Sequence, residues 1–231
     1  MSLAKKINFI NYFSHLILFD EHRKIRKKVI QINKKKNNFY DYGDSFFYQS
    51  MPCINLRGLR DTKKRIKKLE LEKYTENKNI LDVGTNVGAI ILNIKNNFKK
   101  ATGIEHNPKL IEIANIVKEY LNYKNLDFLA ENFNTYNFSE KFDVVLSLAN
   151  HFTYDKGITD TENYFKRINE IISHEGLLFL ESHPSLYEKK EDFEKIIKNL
   201  EKDYTIIKKD SYDFGNIFDN TRRYCLLKKT T

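Results

Sequence analysis

The stretch ILDVGTNVGAI, residues 80–90, decides how this chain is read. Aliphatic residues run up to an acid, Asp82, and two glycines then stand four apart at Gly84 and Gly88. A short aliphatic run that ends at a glycine turn reads as a buried strand feeding a helix. At the carboxyl end of such a strand, a side chain at position 84 would block close approach of backbone to ligand. One at position 88 would hold the following helix away from the strand. The turn lacks the middle glycine of the dinucleotide fingerprint, so a second feature is needed before a ligand can be named.

Outward from this turn, short aliphatic runs alternate with helical periods. The strands expected are 79–83, 101–105, 126–130, 142–148 and 176–181, with helices over 87–98, 108–122, 161–173 and about 189–200. Asn107 and Pro108 are a good cap and first position for the second of these helices, and Leu110, Ala114, Val117 and Leu121 form its inward stripe. This alternation predicts parallel strands joined by right-handed crossovers. YTIIKK (204–209) and RRYCLLKK (222–229) add an antiparallel pair at one side. The second strand ends at Glu105, 23 residues after Asp82, where a carboxylate accepts hydrogen bonds from both hydroxyls of a ribose. Two features at this separation leave NAD(H), or an adenosine ligand without pyrophosphate.

The ordered set LDVGTNVG, GIEHNP, LDFLAENF and FDVVLSLANHF resembles the motifs of class I S-adenosylmethionine-dependent methyltransferases over residues 79 to about 181. Asn86 stands where the family often has a middle glycine, a form that also occurs within it. The resemblance implies an α/β, Rossmann-like fold: a mainly parallel seven-stranded sheet with an antiparallel C-terminal pair, here preceded by an N-terminal helical extension. It implies S-adenosyl-L-methionine as cofactor, S-adenosyl-L-homocysteine as product, and the following roles. Gly84, Thr85, Asn86 and Gly88 wrap the methionine part, Glu105 holds the ribose, and His106 and Asn132 border the adenine, with Ser147 also on the cofactor side. Asp82 either orients the loop or reaches the cofactor amine through water.

In-line methyl transfer requires an acceptor lone pair held behind the methyl carbon, which places acceptor residues after the fourth and fifth strands. SLANHFTYD and ESHPSLY stand there, offering Asn150, His151, Tyr154, Glu181 and His183. His151 is the candidate base for a sugar or phenol hydroxyl, since an unperturbed imidazole titrates near pH 6.5. His183 is either a second substrate contact or a loop residue. Upstream, RGLRDTKKRI sets Arg57 and Arg60 before a helix capped by Asp61, with Ile66, Leu69 and Tyr74 as its apolar edge. Either arginine can clamp an anionic substrate or the cofactor's own carboxylate. This upstream pattern, with VLSLANH, resembles small bacterial methyltransferases of cell-surface polysaccharide such as capsule or O-antigen. That resemblance implies a small-molecule or glycan-linked, anionic acceptor: a sugar hydroxyl, a phosphate or a phosphoramidate.

Size and charge bound the rest. The chain's 231 residues, 41% of them apolar, suffice for one α/β domain (61–231) with a helical extension and substrate lid (1–60). Residues 1–73 carry 18 Lys and Arg against 7 Asp and Glu, whereas the remainder is nearly balanced. A basic front suits an anionic partner, or is merely a lysine-rich solvated face. Apolar residues at 3, 7, 10, 13 and 17, continued by Ile25, Val29 and Ile32, predict two amphipathic helices that serve as lid, dimer surface or anion-binding surface. Residues 39–60 read as an ordered aromatic loop. No run reaches a membrane span, no signal-peptide pattern is present, and Cys53 and Cys225 lack zinc-ligand spacing, so a reducing, cytoplasmic protein without structural metal is expected. Three rival readings remain. One is an RNA methyltransferase using the basic front helices, although LANHF replaces the NPPY-type loop of base-amine enzymes. The others are a methyltransferase-like binding protein without catalysis, and a dehydrogenase.

Overall fold

The computed structural model describes residues 21–35, 47–94, 97–151, 161–184, 188–214 and 221–230. A seven-stranded sheet runs through them in the order β3-β2-β1-β4-β5-β7-β6. Its strands are β1 (Asn79–Val83), β2 (Lys100–Ile104), β3 (Leu126–Leu129), β4 (Phe142–Leu148), β5 (Ile172–Glu181), β6 (Tyr204–Tyr212) and β7 (Arg222–Lys229). The first five pair in parallel, and β7 lies antiparallel between β5 and β6. The expected sheet class and the antiparallel C-terminal pair are both present.

Parallel strands are buried on both faces, and alternation along each strand divides their side chains between two cores. Ile80, Val144, Leu146, Phe179 and Leu226 face one core, which is completed by α1 (Arg23–Asn33), α2 (Thr62–Lys68), α3 (Leu71–Thr75) and α4 (Pro108–Tyr120). Leu81, Val145, Leu178, Leu180 and Leu227 face the other, covered by α5 (Thr161–Ile171) and α6 (Lys190–Leu200). Ile25, Val29, Ile54 and Leu56 belong to the same core as Ile80, so the described part of the front segment is packed into the sheet domain. The stripe at residues 3–17 lies outside the described residues.

Helix α1 is clasped by α4 at both ends. Lys109 donates from Nζ to the carbonyls of Asn33 and Lys35 at 3.3 and 3.2 Å, where a cation also suits the helix dipole. At the other end the Tyr120 hydroxyl donates to the Glu21 carbonyl at 3.2 Å. The described part of the aromatic loop closes on itself through Leu59 N–H to Phe47 O and Arg60 N–H to Tyr48 O, both 2.9 Å, which carries Tyr48 and Arg60 together.

Two helices differ from expectation. The span 61–74 is two short helices rather than one, because Glu70 adopts φ +53° between them. In place of a helix over 87–98 there is a tight turn and one 3-10 turn, Ile91–Asn93, after which Ile94 is extended. Val87, Ala89, Ile90, Ile91 and Leu92 are all buried, so this segment lies inside the core. Asn93 also turns its amide inward, donating to Ala89 O at 2.7 Å and accepting from Cys53 N–H at 2.8 Å.

Gly88 is fixed by this geometry. Its φ is +71°, and an added Cβ would stand 2.4 Å from Cζ of Phe128 on β3. Gly88→Ala is expected to lower the urea midpoint by an amount equivalent to about 1–3 kcal/mol. An unchanged midpoint would contradict this packing.

Candidate active site

At the carboxyl end of β1, Gly84 turns the chain with φ +65°, and Asn86 follows in the left-handed region at φ +56°. Gly84 is exposed at this edge, and a Cβ there would lie 3.0 Å from Nδ2 of Asn150, so the turn and the loop after β4 nearly touch. Beneath it, the Thr85 hydroxyl donates to Oδ2 of Asp82 at 2.7 Å. Burial pushes the Asp82 carboxyl up to about 7, against the opposing pull of the Thr85 hydrogen bond and the more distant Arg65. Glu105 is drawn to the same place. One of its oxygens accepts from Asn86 N–H at 3.2 Å and the other from Asn107 N–H at 3.1 Å. The adjacent His106 ring, partly exposed, sets Nδ1 3.1 Å from the Glu105 carboxylate. Asn132 is exposed and caps its own turn by accepting from Asn134 N–H at 2.9 Å.

The loop after β4 forms the second half of the site. Ala149 takes φ +60°, which swings Asn150 back over the sheet edge. Its Nδ2 donates to Val83 O, while Oδ1 accepts from the Ser147 hydroxyl at 2.8 Å and from Tyr164 OH at 3.0 Å. Asn150 was expected to touch substrate. Both ends of its amide are engaged here, which makes it a strut between β1 and β4. Ser147 is fully buried within that strut, with Tyr164 OH 2.9 Å away.

His151 follows, also fully buried, with Nε2 3.0 Å from Oε1 of Glu188. The other oxygen of Glu188 accepts the His183 backbone N–H at 2.6 Å. The two histidine rings meet edge to face at 5.1 Å between centroids, and Phe165 and Phe193 flank His151. Burial, then His151, Arg60 and Arg65, lower His183 to about 3, so it is a neutral imidazole near neutral pH.

Glu181, the second expected substrate contact, is also committed inside the protein. Arg65 grips it through two parallel bonds of 2.9 Å from Nε and Nη2, and Tyr212 OH donates to it at 2.9 Å. Arg222 Nη1 lies 3.5 Å away and donates to Ser182 O at 2.6 Å, while its Nη2 donates to Tyr48 OH at 3.3 Å. Arg60 joins this group, its guanidinium stacked 4.0 Å from the centre of the Tyr48 ring and 5.6 Å from that of Phe214. Arg57 is exposed on the same loop, and Tyr154 lies outside the described residues.

Sequence reasoning missed Arg65, Arg222, Tyr164 and Glu188. Arg65 sits among lysines in TKKRIKK and reads as surface charge. Its one distinguishing signal is that it adjoins Ile66 and is the helix's sole arginine, the cation suited to a two-pronged carboxylate bond. Among the described residues no cluster of His, Cys, Asp and Glu is placed to hold a metal ion.

The two halves fit an adenosine-type sulfonium cofactor. The glycine turn is open at the sheet edge, Asp82 lies beneath it, and Glu105 stands at the end of the neighbouring strand beside the Asn86 and Asn107 amides. A family model described as a methyltransferase domain matches residues 74–225. A release factor glutamine methyltransferase of Fusobacterium nucleatum subsp. nucleatum is 30% identical over 171 residues, covering 68% of this chain. The chain spans 48% of that relative's length. Among solved structures, the fold resembles the N-methyltransferase NodS from Bradyrhizobium japonicum WM9 in complex with S-adenosyl-L-homocysteine. That likeness has a TM-score of 0.63 at 15% identity, over 89% of this chain and 98% of that one. The tRNA m1G37 methyltransferase of M. jannaschii gives a TM-score of 0.55 at 16% identity, over 71% of this chain and 49% of that one. With the family model covering well over half its length and the fold in agreement, the chain belongs to the methyltransferase domain family, the S-adenosylmethionine-dependent enzymes of Rossmann-like fold.

Proposed function

We propose that this methyltransferase methylates a hydroxyl oxygen of a small or glycan-linked acceptor that carries negative charge. The observation that carries the reading is His151, held against Glu188 in the loops that follow β4 and β5. S-adenosylmethionine supplies an electrophilic methyl group on a positively charged sulfur. In this reading Gly84 to Gly88 line its methionine portion, and Glu105 accepts from its ribose hydroxyls. His106 and Asn132 border the adenine.

On the acceptor side, His151 takes the hydroxyl proton as the oxygen becomes methylated, which general-base catalysis makes worth about 10²–10⁴-fold. Arg60, stiffened by stacking on Tyr48, supplies the contact for the acceptor's anionic group. Arg57, on the exposed face of the same loop, extends that basic edge. A phosphate or phosphoramidate oxygen is a second reading, favoured by the positive charge of Arg60 and Arg65, which is felt at His183. Such an oxygen is already ionised and needs the arginine without the base. The sequence resemblance to surface-polysaccharide enzymes supports acceptors of both kinds. An RNA acceptor is the reading the basic exposed face of α1, with Lys24, Lys27 and Lys28, would favour.

Formation of S-adenosylhomocysteine from neutral methyl glycosides, sugar phosphates and total tRNA separates these readings. Transfer to sugar phosphates is expected. His151→Ala should cut that turnover by about 10²-fold or more with homocysteine-product binding unchanged. Arg60→Ala should chiefly raise KM. Wild-type rates in both variants would remove this placement of the acceptor, and salt-sensitive binding and methylation of tRNA alone would replace it with the RNA reading.

Asp82 generates a separate expectation. Its carboxyl titrates near 7 in the folded chain, above an unfolded value near 3.8. The stability it contributes is therefore complete below about pH 4 and is lost as pH rises towards 7. Asp82→Asn, which stays neutral, should raise the melting temperature of the cofactor-free protein more at pH 8 than at pH 5. An equal gain at the two values, measured by thermal unfolding, would show that Asp82 is not protonated by burial.

A further inference from the structure

We infer that Tyr164 is a positioning residue for the cofactor: acting through Asn150, its hydroxyl holds the Gly84 turn in the shape that receives S-adenosylmethionine. This rests on the reading that the turn lines the cofactor's methionine portion, and goes beyond it. Tyr164 lies in TENYFKRINEI on α5, where Tyr164, Phe165, Ile168 and Ile171 form a buried stripe that by itself reads as core packing.

The phenol is placed with little freedom. Its ring stands 5.4 Å from that of Phe133 and meets Phe165 edge to face at 5.2 Å. Tyr164 and Ser147 are both buried, so neither hydroxyl is turned to bulk water. Burial, first of all, raises the Tyr164 phenol above its ordinary value, so it stays an O–H donor near neutral pH. Three oxygens form a triangle. Ser147 Oγ donates to Asn150 Oδ1 at 2.8 Å, Tyr164 OH donates to the same oxygen at 3.0 Å, and the two hydroxyls are 2.9 Å apart. Whichever hydroxyl donates along that third side, the amide oxygen of Asn150 is the one member that only accepts, and it closes the triangle.

An amide whose oxygen is held in this way presents its nitrogen on the opposite side, where Nδ2 donates to Val83 O. Val83 ends β1 and immediately precedes Gly84. Nδ2 and Cβ of Asn150 would lie 3.0 and 3.1 Å from a Cβ at Gly84, so the side chain rests against the turn as well as bonding beside it. Ser147 and Asn150 belong to β4 and its loop, whereas Tyr164 comes from a helix packed on the other side of the network. Its hydroxyl is therefore what ties the strut to a fixed point outside the two loops. Without that tie the amide gains rotational freedom, and the turn must be ordered at the moment of binding, which lowers affinity.

Tyr164→Phe removes the hydroxyl and keeps the ring. By calorimetry it is expected to bind S-adenosylhomocysteine about three- to tenfold more weakly than wild type, the loss of one buried hydrogen bond. Ser147→Ala should weaken binding in the same range. The control is Tyr204→Phe, which takes a hydroxyl from the same core, one that donates to Asn169 of α5 at 3.4 Å. That variant should keep wild-type affinity even where its melting temperature falls as far. Nitrogen-15 glycine-labelled protein without cofactor gives a second readout, the Gly84 amide being identified by its loss in Gly84→Ala. In Tyr164→Phe this signal should shift or broaden, and saturating S-adenosylhomocysteine should return it towards its wild-type position.

Wild-type affinity in Tyr164→Phe, or an unmoved Gly84 signal, would overturn the inference. An equal loss of affinity in Tyr204→Phe would overturn it as well, since Tyr164 would then act only through general stability. If Tyr164→Phe does not fold, Ser147→Ala carries the same comparisons. If the Gly84 signal moves as expected but Gly84→Val binds S-adenosylhomocysteine as wild type does, the failure belongs to the reading of the turn as the cofactor site, and the hold of Tyr164 on the turn stands.

Discussion

The buried pair between Arg65 and Glu181 is the constraint on which the site depends. Its two parallel bonds join α2, from the front segment, to the last residue of β5. The same guanidinium reaches Leu148 O at the end of β4, and Tyr212 of β6 and Arg222 of β7 meet the same carboxylate. Four strands and a helix are thus tied at one edge of the sheet, the edge from which Asn150, His151 and His183 project. A fully buried ion pair adds little net stability against an apolar equivalent, yet removing one partner costs roughly 3–5 kcal/mol, because the other charge is left uncompensated. Its contribution here is geometric. It makes the carboxyl edge of the sheet a fixed platform, with Arg60 five residues before Arg65.

The second coupling runs through Asn150. Its amide links Val83 at the end of β1 to Ser147 and Tyr164, so the glycine turn after β1 and the loop after β4 share one hydrogen-bond network. For an in-line displacement, alignment of the two reactants is much of what an enzyme contributes. In the proposed reading, a network that fixes the glycine turn against the loop after β4 is a direct way to obtain it. Gly84 belongs to the same logic, since it has no side chain to collide with Asn150.

The sheet class was legible because parallel strands buried on two faces leave continuous aliphatic runs, and the glycine turn and Glu105 stand at fixed places on them. The helix expected after Gly88 was not, because a segment apolar all round carries no period that distinguishes a helix from a buried turn, and Asn93 looks like a surface residue until its partners are known. Asn150 and Glu181 were found by position on the strand ends, but their partners inside the protein were not. Whether a polar side chain faces a ligand or a buried partner depends on residues such as Arg65 and Tyr164, which are distant in sequence. Glu188 shows the same limit from the other side, since nothing local distinguishes it from the exposed acids at 191 and 192.

The most direct measurement is a crystal structure of the protein with S-adenosylhomocysteine. The account predicts that the Glu105 carboxylate lies within hydrogen-bonding distance of both ribose hydroxyls, with sulfur directed across the Asn150 strut towards His151 and His183. A sulfur directed away from the ends of β4 and β5, or a Glu105 turned from the ribose, would contradict it.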